Sequence, residues 1–481
     1  MRMAALVALM AVWWITEAIP LAATSLLPVV FLPLFGIVPG KAVASNYINS
    51  TIFIFIGGFL IALAMERWNL HRRIALRVLL LFGRSPASLV LGFMVATAFL
   101  SAWISNTATT IAMMPVGLAV IHQMEERYGK KPCATLAVCL MLGIAYAASI
   151  GGIATPVGTP PNLVFKSIFE NTFPGGPVVS FGEWAMVGMP LSVVMLLLTW
   201  FLLTRFIFRF KPDLCPDQSV IRKEYESLGG MKAEERIVLV VFALTAALWM
   251  LRRDVVLFGL TLPGWENLLA ENIRSMVDDG TVAVAMSLVL FLWPVSKKTR
   301  GSTGPSRIID AAIIQRVPWG IVLLFGGGFA LANGFVESGL SAWLATSLFA
   351  DLGAIPMLLM VLLICAGMTF LTEFTSNTAS TQLVLPILAS AAVAQQLHPM
   401  ILMIPATFAA SMAFMMPVAT PPNAIVFGSE RIRVSQMCRA GLWLNLVSIV
   451  VVTLFLYWVA APVFGFDDAG LPPWANLNSA P

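Results

Sequence analysis

Residues 101–110 read Ser-Ala-Trp-Ile-Ser-Asn-Thr-Ala-Thr-Thr, and residues 372–381 read Thr-Glu-Phe-Thr-Ser-Asn-Thr-Ala-Ser-Thr. Each is a polar island inside a long apolar stretch, 87–121 and 352–394. The rest of the chain says what solvent these stretches meet. Of 481 residues, 59% are hydrophobic and 11% charged, with a mean hydropathy of +0.89. A soluble globular chain carries roughly 25% charged residues. The chain therefore reads as one all-α, polytopic membrane protein. About ten spans are expected from runs approaching the ~20 apolar residues that a bilayer crossing needs. They lie near 3–19, 21–38, 51–66, 134–153, 186–208, 237–251, 281–296, 318–336, 399–418 and 440–464. The first of them, flanked by a single basic residue and by Glu17-Ala-Ile-Pro20, reads as a short span and not as a signal peptide.

The net charge of +5 sits in short basic clusters between apolar runs, the pattern of cytoplasmic loops and not of a nucleic-acid surface. One cluster is Arg67, Arg72, Arg73, Arg77 and Arg84, and another is Arg127, Lys130 and Lys131. The polar loop 209–236 holds Arg209, Lys211, Arg222, Lys223, Lys232 and Arg236. The loop 297–316 holds Lys297, Lys298, Arg300, Arg307 and Arg316, and the last cluster is Arg431, Arg433 and Arg439. Arg252 and Arg253 fall on the other side. Both flanks of 87–121 are then cytoplasmic, so its 35 residues enter and leave on one side. That length suits two half-depth arms at about 1.5 Å per residue, a re-entrant hairpin with Ser105-Asn106-Thr107 at its tip. Non-helical backbone at such depth is tolerated only where it is buried in protein or lines a watery cavity. The flanks of 352–394 lack Lys and Arg, and this stretch reads as a second hairpin entering from outside.

Three marks recur in the same order. Phe55-Ile-Gly-Gly-Phe59 matches Phe325-Gly-Gly-Gly-Phe329, Ser101-x-x-x-Ser105-Asn106-Thr107 matches Thr372-x-x-x-Ser376-Asn377-Thr378, and Pro156-Val-Gly-Thr-Pro-Pro-Asn162 matches Pro417-Val-Ala-Thr-Pro-Pro-Asn423. The offsets are 270, 271 and 261 residues. The opposed charge flanks of the hairpins make this an inverted repeat, with halves 1–235 and 236–481. Broken, Gly/Pro-interrupted segments at matching places in two inverted halves point to a transporter site, where the tips and the broken helices converge.

The converging patches, 105–107, 376–378, 158–160 and 419–421, supply hydroxyls, carboxamides and free backbone groups, and no Arg or Lys. Asn and Thr donate to a carboxylate. Helix N-termini add N–H groups that favour an anion. Carbonyls at breaks, with Ser and Thr oxygens, suit a hard cation such as Na⁺. A cation beside each carboxylate supplies the positive charge the side chains lack. The doubled motif then predicts two cation sites and a substrate with two anionic ends. The alternative for each island alone is close helix packing through small polar residues.

Glu373 is the sharpest charge at depth. It reads as a structural acceptor for backbone N–H groups at the hairpin tip, or else as a proton carrier; the first half has Ala102 at the matching place. Glu17 lies close to a span boundary. The basic, amphipathic stretch Arg67–Leu81 reads as an interfacial helix. His71, His122 and His398 lie near segment ends and are expected to be solvated. Cys133, Cys139, Cys215, Cys365 and Cys438 are scattered, with no metal or disulfide spacing. The 14 Trp and 31 Phe read as belt and core. No P-loop and no catalytic constellation is present, which disfavours ATP-driven transport and enzymatic activity.

Trp13-Trp14-Ile-Thr-Glu17-Ala-Ile-Pro20, both Ser-Asn-Thr motifs and both Thr-Pro-Pro-Asn motifs resemble the divalent anion:sodium symporter family of di- and tricarboxylate transporters, over essentially the whole chain. The resemblance implies a homodimer in the cell membrane. Each protomer is then split into a scaffold part and a transport part that shifts like an elevator. It implies one sodium site at Ser101, Ser105, Asn106 and Gly158, and another at Thr372, Ser376, Asn377 and Ala419. The glycine and the alanine act through their carbonyls. Substrate carboxylates are implied to meet Asn106, Thr107, Thr159, Asn377, Thr378 and Thr420, with Pro421 lining the pocket. Family members usually carry a further span before the Trp-Trp opening, whereas this chain begins almost at it. Residue 1 is then expected outside, with the start either truncated or misassigned, or the first span absent. The expected function is sodium-coupled symport of C4 dicarboxylates such as succinate, malate and fumarate, with sodium binding first and completing the anion pocket. The rivals are a sodium-independent dicarboxylate exchanger of the same fold, and an anion channel.

Overall fold

Prolines and caps decide where the helices break. In each Thr-Pro-Pro-Asn motif the threonine is an N-cap and the two prolines fill the first helical turn, where their missing N–H groups are no loss. Single prolines are accommodated inside helices, as Pro115 and Pro386 are, but two adjacent ones remove two N–H donors and crowd the turn before them, so the chain unwinds there. The serines of the two Ser-Asn-Thr motifs are likewise N-caps, and Ser105 accepts a bond from Ala108 N at 3.2 Å.

The computed structural model describes residues 1–82, 85–209, 214, 217–257, 260–296, 306–347, 355–466 and 470–475. Arg84, Lys211, Cys215, Lys297, Lys298, Arg300 and residues 352–354 of the second apolar stretch lie outside them. The first helices are α1 (Arg2–Thr16), α2 (Leu21–Thr24), α3 (Leu27–Leu34), α4 (Gly40–Ser45), α5 (Ser50–Arg67) and α6 (Leu70–Leu79). Then come the arms α7 (Pro86–Ser101) and α8 (Asn106–Tyr128), and a helix broken into α9 (Lys130–Gly152) and α10 (Pro160–Thr172). They are followed by α11 (Phe181–Phe201), α12 (Ser219–Ser227) and α13 (Ala233–Met250). Next are α14 (Glu271–Arg274), α15 (Asp279–Leu292), α16 (Ala311–Gln315), α17 (Trp319–Glu337) and α18 (Leu340–Ser347). The second pair of arms is α19 (Met357–Leu371) and α20 (Asn377–Ala394), and the second broken helix is α21 (Met400–Ala410) and α22 (Pro421–Phe427). The long α23 (Val434–Phe455) runs through a π-helical turn into α24 (Ala461–Phe464).

Among the described residues, six helical stretches are long and apolar enough to cross a membrane: Gly40–Arg67, Lys130–Gly152, Phe181–Ile207, Trp319–Glu337, Asn377–Ala394 and Val434–Phe464. The spans expected at 3–19, 21–38, 281–296 and 399–418 are shorter apolar helices. The span expected at 237–251 is α13, whose first turn carries Glu234, Glu235 and Arg236. The repeat boundary expected at 235/236 falls within that first turn. A short hairpin pairs Val255–Leu257 with Leu260–Leu262, and isolated bridges join Pro294 to Arg307 and Leu397 to Gly470.

Packing follows the repeat. α7 lies on α9, and α19 on α21. Beyond the breaks the halves exchange partners: α10 packs on α20, and α22 on α8. The Phe-x-Gly-Gly-Phe helices do the same, α5 on α15 and α17 on α2 and α3. A Cβ at Gly57 would stand 2.6 Å from Ala283, and one at Gly327 would stand 2.5 Å from the Ser25 carbonyl oxygen. Phe55 and its repeat equivalent Phe325 touch edge to face at 5.1 Å. A residue in contact with its own equivalent sits where a two-fold relation between halves puts its axis. α9 is the buried centre, with 89% of its apolar window inside, whereas 39% of the corresponding window of α23 is inside, leaving Trp443, Leu446, Val450 and Leu454 bare. A smaller core joins α1, α3 and α17 through Met3, Leu6, Met10, Trp14, Leu32, Leu331 and Phe335.

Ion pairs draw the basic clusters together. Arg67 meets Asp310 and Arg316 meets Glu66, while Arg72 and Arg73 reach Glu224 and Glu235. Arg431 grips Glu125, and Gln123, two residues before Glu125, bonds Ser219 at 2.7 Å. Arg252 belongs to a different group, buried with Asp279 and Glu266. Two of the three histidines depart from expectation. His122 is exposed, but His71 and His398 are buried. His71 turns its ring to the Met65 carbonyl, and His398 stacks on Phe466 with Trp474 edge-on. The stretch 67–81, expected at the interface, is packed: Leu70, Arg73, Leu76 and Leu79 are buried, and Arg73 carries its charge inward because Glu235 awaits it at 2.5 Å.

Candidate functional site

The first tip and the first break form one cluster. Ser101, fully buried at the end of α7, lies 2.7 Å from the Ala148 carbonyl oxygen of α9 and 2.6 Å from Asn106 Oδ1, and its single hydroxyl proton serves one of them at a time. With its amide turned the other way, Asn106 donates to Ser101 Oγ at 2.6 Å, to Ala148 O at 3.1 Å and to Gly158 O at 3.3 Å. Two glycines make room. A Cβ at Gly152 would stand 2.6 Å from Asn106 Oδ1, and one at Gly158 would stand 2.4 Å from the Gly152 carbonyl oxygen. Ser101, Asn106 and Gly158 are thus brought together. Ser105 stands at the tip with its oxygen engaged in capping α8. Thr155 ties the break to the tip by donating to the Ala102 carbonyl.

The second tip is tied differently. Glu373 is wholly buried, and its carboxylate accepts from Phe414 N at 2.8 Å, from Met415 N at 2.9 Å and from Met416 N at 2.9 Å. Asn445 Nδ2 of α23 adds a bond at 2.6 Å. The expected N–H partners are found, but they come from the break after α21 and not from the tip itself. Thr372 turns its hydroxyl back on its own helix, to Met368 O and Thr369 O. Ser376 and Asn377 are half-buried at the start of α20, and Asn377 Oδ1 is buried without a hydrogen-bond partner. Thr378, Ala419 and Thr420 are buried, and Thr420 caps α22. Pro421 is exposed. Val157, Gly158 and Thr159 are all buried, whereas Val418 is 76% exposed, so the first break is the more enclosed of the two. No hydrogen bond joins the two tips among the described residues. What brings the patches near one another is the exchanged packing of α10 on α20 and α22 on α8.

A cleft of about 670 Å³ reaches the first tip. It is lined by Ser105 and Thr107, by Ala108, Ala112 and Pro115 of α8, and by Glu66, Arg72 and Glu224, which belong to or pair with the basic clusters.

Three contributors escape a sequence reading. The Ala148 carbonyl is a main-chain atom of an apolar helix and leaves no signal. Asn162 and Asn423 are visible as the last letters of the repeated motif, but their role is not. Each reaches back across its break, Asn162 to Gly152 O at 3.1 Å and Thr155 O at 2.7 Å, Asn423 to Ala413 O at 3.4 Å and Met416 O at 3.0 Å.

Comparison with known proteins bears on what such a site does. The profile of the sodium:sulfate symporter transmembrane region matches residues 1–464. The sodium-dependent dicarboxylate transporter SdcS of Staphylococcus saprophyticus is 45% identical over 462 residues, 95% of this chain and 85% of that protein. SdcS of Staphylococcus aureus strain NCTC 8325 is 44% identical over the same shares. Among solved structures, the Alcanivorax borkumensis YdaH transporter is 14% identical with a TM-score of 0.60, over 89% of each chain. Neisseria gonorrhoeae MtrF, from a class of antimetabolite efflux pumps, is 13% identical with a TM-score of 0.56, over 90% of this chain and 84% of that one. These two structures share the fold.

Proposed function

The chain belongs to the sodium:sulfate symporter family, and on that premise we propose that it imports C4 dicarboxylates such as succinate, malate and fumarate by sodium-coupled symport across the cell membrane. The observation that carries this reading is the first cluster. Ser101, Asn106 and the carbonyls of Ala148 and Gly158 point oxygen at one small volume with no Lys or Arg beside them. Such a set suits a hard cation. Without one, the Asn106 amide satisfies the same oxygens through its nitrogen. A sodium ion entering there turns the amide oxygen inward, and Asn106 Nδ2 then faces outward as a donor to a carboxylate. The first site is read as Ser101, Ser105, Asn106 and Gly158, and the second as Thr372, Ser376, Asn377 and Ala419. The unpartnered Asn377 Oδ1 supports the second. Thr107, Thr159, Thr378 and Thr420, with the two asparagines, are read as the donors to a substrate carboxylate at each end, beside Pro421.

The inverted-repeat halves are supported by the Phe55–Phe325 contact and the exchanged helix pairs. The elevator-like shift, the homodimer and the scaffold part rest on the family resemblance. The cleft that joins Ser105 and Thr107 to Arg72 of a basic cluster, assigned to the cytoplasmic side, supports an inward-open state. The test is uptake of labelled succinate into proteoliposomes with and without an inward sodium gradient, beside Asn377→Ala. Sodium-driven accumulation that the variant loses is expected. Uptake that ignores sodium and needs succinate loaded inside would replace this reading with an exchanger. Flux that neither saturates nor accumulates would replace it with a channel.

A further inference from the structure

We infer that Asn162 and Asn423 are positioning residues for sodium: each holds the tight turn whose last residue, Gly158 or Ala419, presents a carbonyl to a cation. The inference rests on the reading of those two carbonyls as ligands. The geometry is the same in both halves. Asn162 Nδ2 donates to the carbonyls ten and seven residues earlier, Gly152 and Thr155, and Asn423 Nδ2 donates to the carbonyls ten and seven residues earlier, Ala413 and Met416. The nearer carbonyl has a second donor in each case. Gly158 N bonds Thr155 O at 3.3 Å, and Ala419 N bonds Met416 O at 3.2 Å. One acceptor therefore joins the asparagine to the peptide unit that precedes the ligand carbonyl. The farther carbonyl of the first half also borders the cluster, since Gly152 O lies 2.4 Å from where a Gly158 Cβ would be.

Both side chains are buried, 1% and 0% exposed, and both keep Oδ1 without a hydrogen-bond partner. A buried acceptor left open is costly, so its presence in both halves argues that the amide is held for what its nitrogen does. Two hydrogen bonds from one rigid group fix the turn more tightly than the backbone bond alone, because unwound chain between helices has no ladder of its own. The first turn depends on its asparagine and on Thr155. The second has Glu373 as well, holding three successive N–H groups.

The experiment compares Asn162→Ala, Asn162→Thr and Asn423→Ala with wild type and with Ser101→Ala, in the full-length protein. It measures the half-saturating sodium concentration and the succinate KM at saturating sodium in proteoliposomes. Sodium-dependent thermal stabilisation of the purified protein is read beside them. We expect Asn162→Ala to raise half-saturating sodium by about tenfold, the worth of one lost buried pair of bonds, with KM within about twofold once sodium saturates. Asn423→Ala should shift it less, and Asn162→Thr, which keeps one donor, should fall between. If Asn162→Ala yields no monodisperse protein, Asn162→Thr carries the test. A lower maximal rate with unchanged sodium dependence, while Ser101→Ala does shift it, would overturn the inference and leave the site reading standing. If Ser101→Ala also leaves sodium dependence unchanged, the site reading falls and the inference with it.

Discussion

Glu373 sits at 0% exposure with no cationic partner among the described residues, and is stable there because four N–H donors converge on it. Hydrogen bonds to an ionised acceptor are the strong ones, and a donor stranded in a dry interior costs about 1–3 kcal/mol. Glu373→Gln sets an NH₂ group against Met416 N or Phe414 N. We expect a loss of about 2–4 kcal/mol, read as a lower melting temperature in detergent together with lost uptake. A variant as stable as wild type would mean that the carboxylate does not hold the break. The residue is legible in the sequence as a charge in an apolar run. Its partners are not, because main-chain N–H groups forty residues away have no letter of their own. His398 shows the reverse failure. A histidine near a span end reads as solvated, yet the ring is packed between Phe466 and Trp474 and accepts from Met400 N. Burial pushes its pKa down to about 4. A neutral ring in the fold means full stability above about pH 6.5 and a loss as pH falls from there towards 4. The melting temperature should drop across that window and drop less in His398→Gln; superimposable pH curves would contradict the assignment.

At the scale of elements, the breaks are the best-read features. Thr-Pro-Pro cannot lie inside a helix, and both copies start one, at Pro160 and Pro421. The arms also fall where the polar islands divide them, Pro86–Ser101 from Asn106–Tyr128 and Met357–Leu371 from Asn377–Ala394. The Arg67–Leu81 stretch is legible as amphipathic but not as packed, since its cover, α12 and Glu235, comes from a distant polar loop. The glycines of α5 and α17 are legible as a repeat, and the structure supplies their reason. A Cβ at position 57 or 327 runs into backbone of the facing helix. Gly57→Val and Gly327→Val should each cost about 1–3 kcal/mol or more by overpacking, seen as lost monodisperse protein. Gly367, with nothing within 4 Å of its Cβ position, should accept Ala with unchanged or slightly raised stability. Equal tolerance at all three positions would contradict the packing.

For the whole molecule, α10 packs on α20 and α22 on α8, so each helix that follows a break meets an arm of the other half, and the two breaks differ in enclosure. The repeat is legible because its marks recur in order. The exchange of partners between halves is not, since a helix's face does not name its neighbour. Among the described residues no basic side chain lies at either tip, and the proposed order of binding, cation before anion, rests on that. Calorimetric titration of the purified protein with succinate, in sodium buffer and in potassium buffer of equal ionic strength, tests this most directly. The account predicts saturable binding in sodium, with an affinity that rises with sodium concentration, and none in potassium; binding of equal strength in both buffers would contradict it.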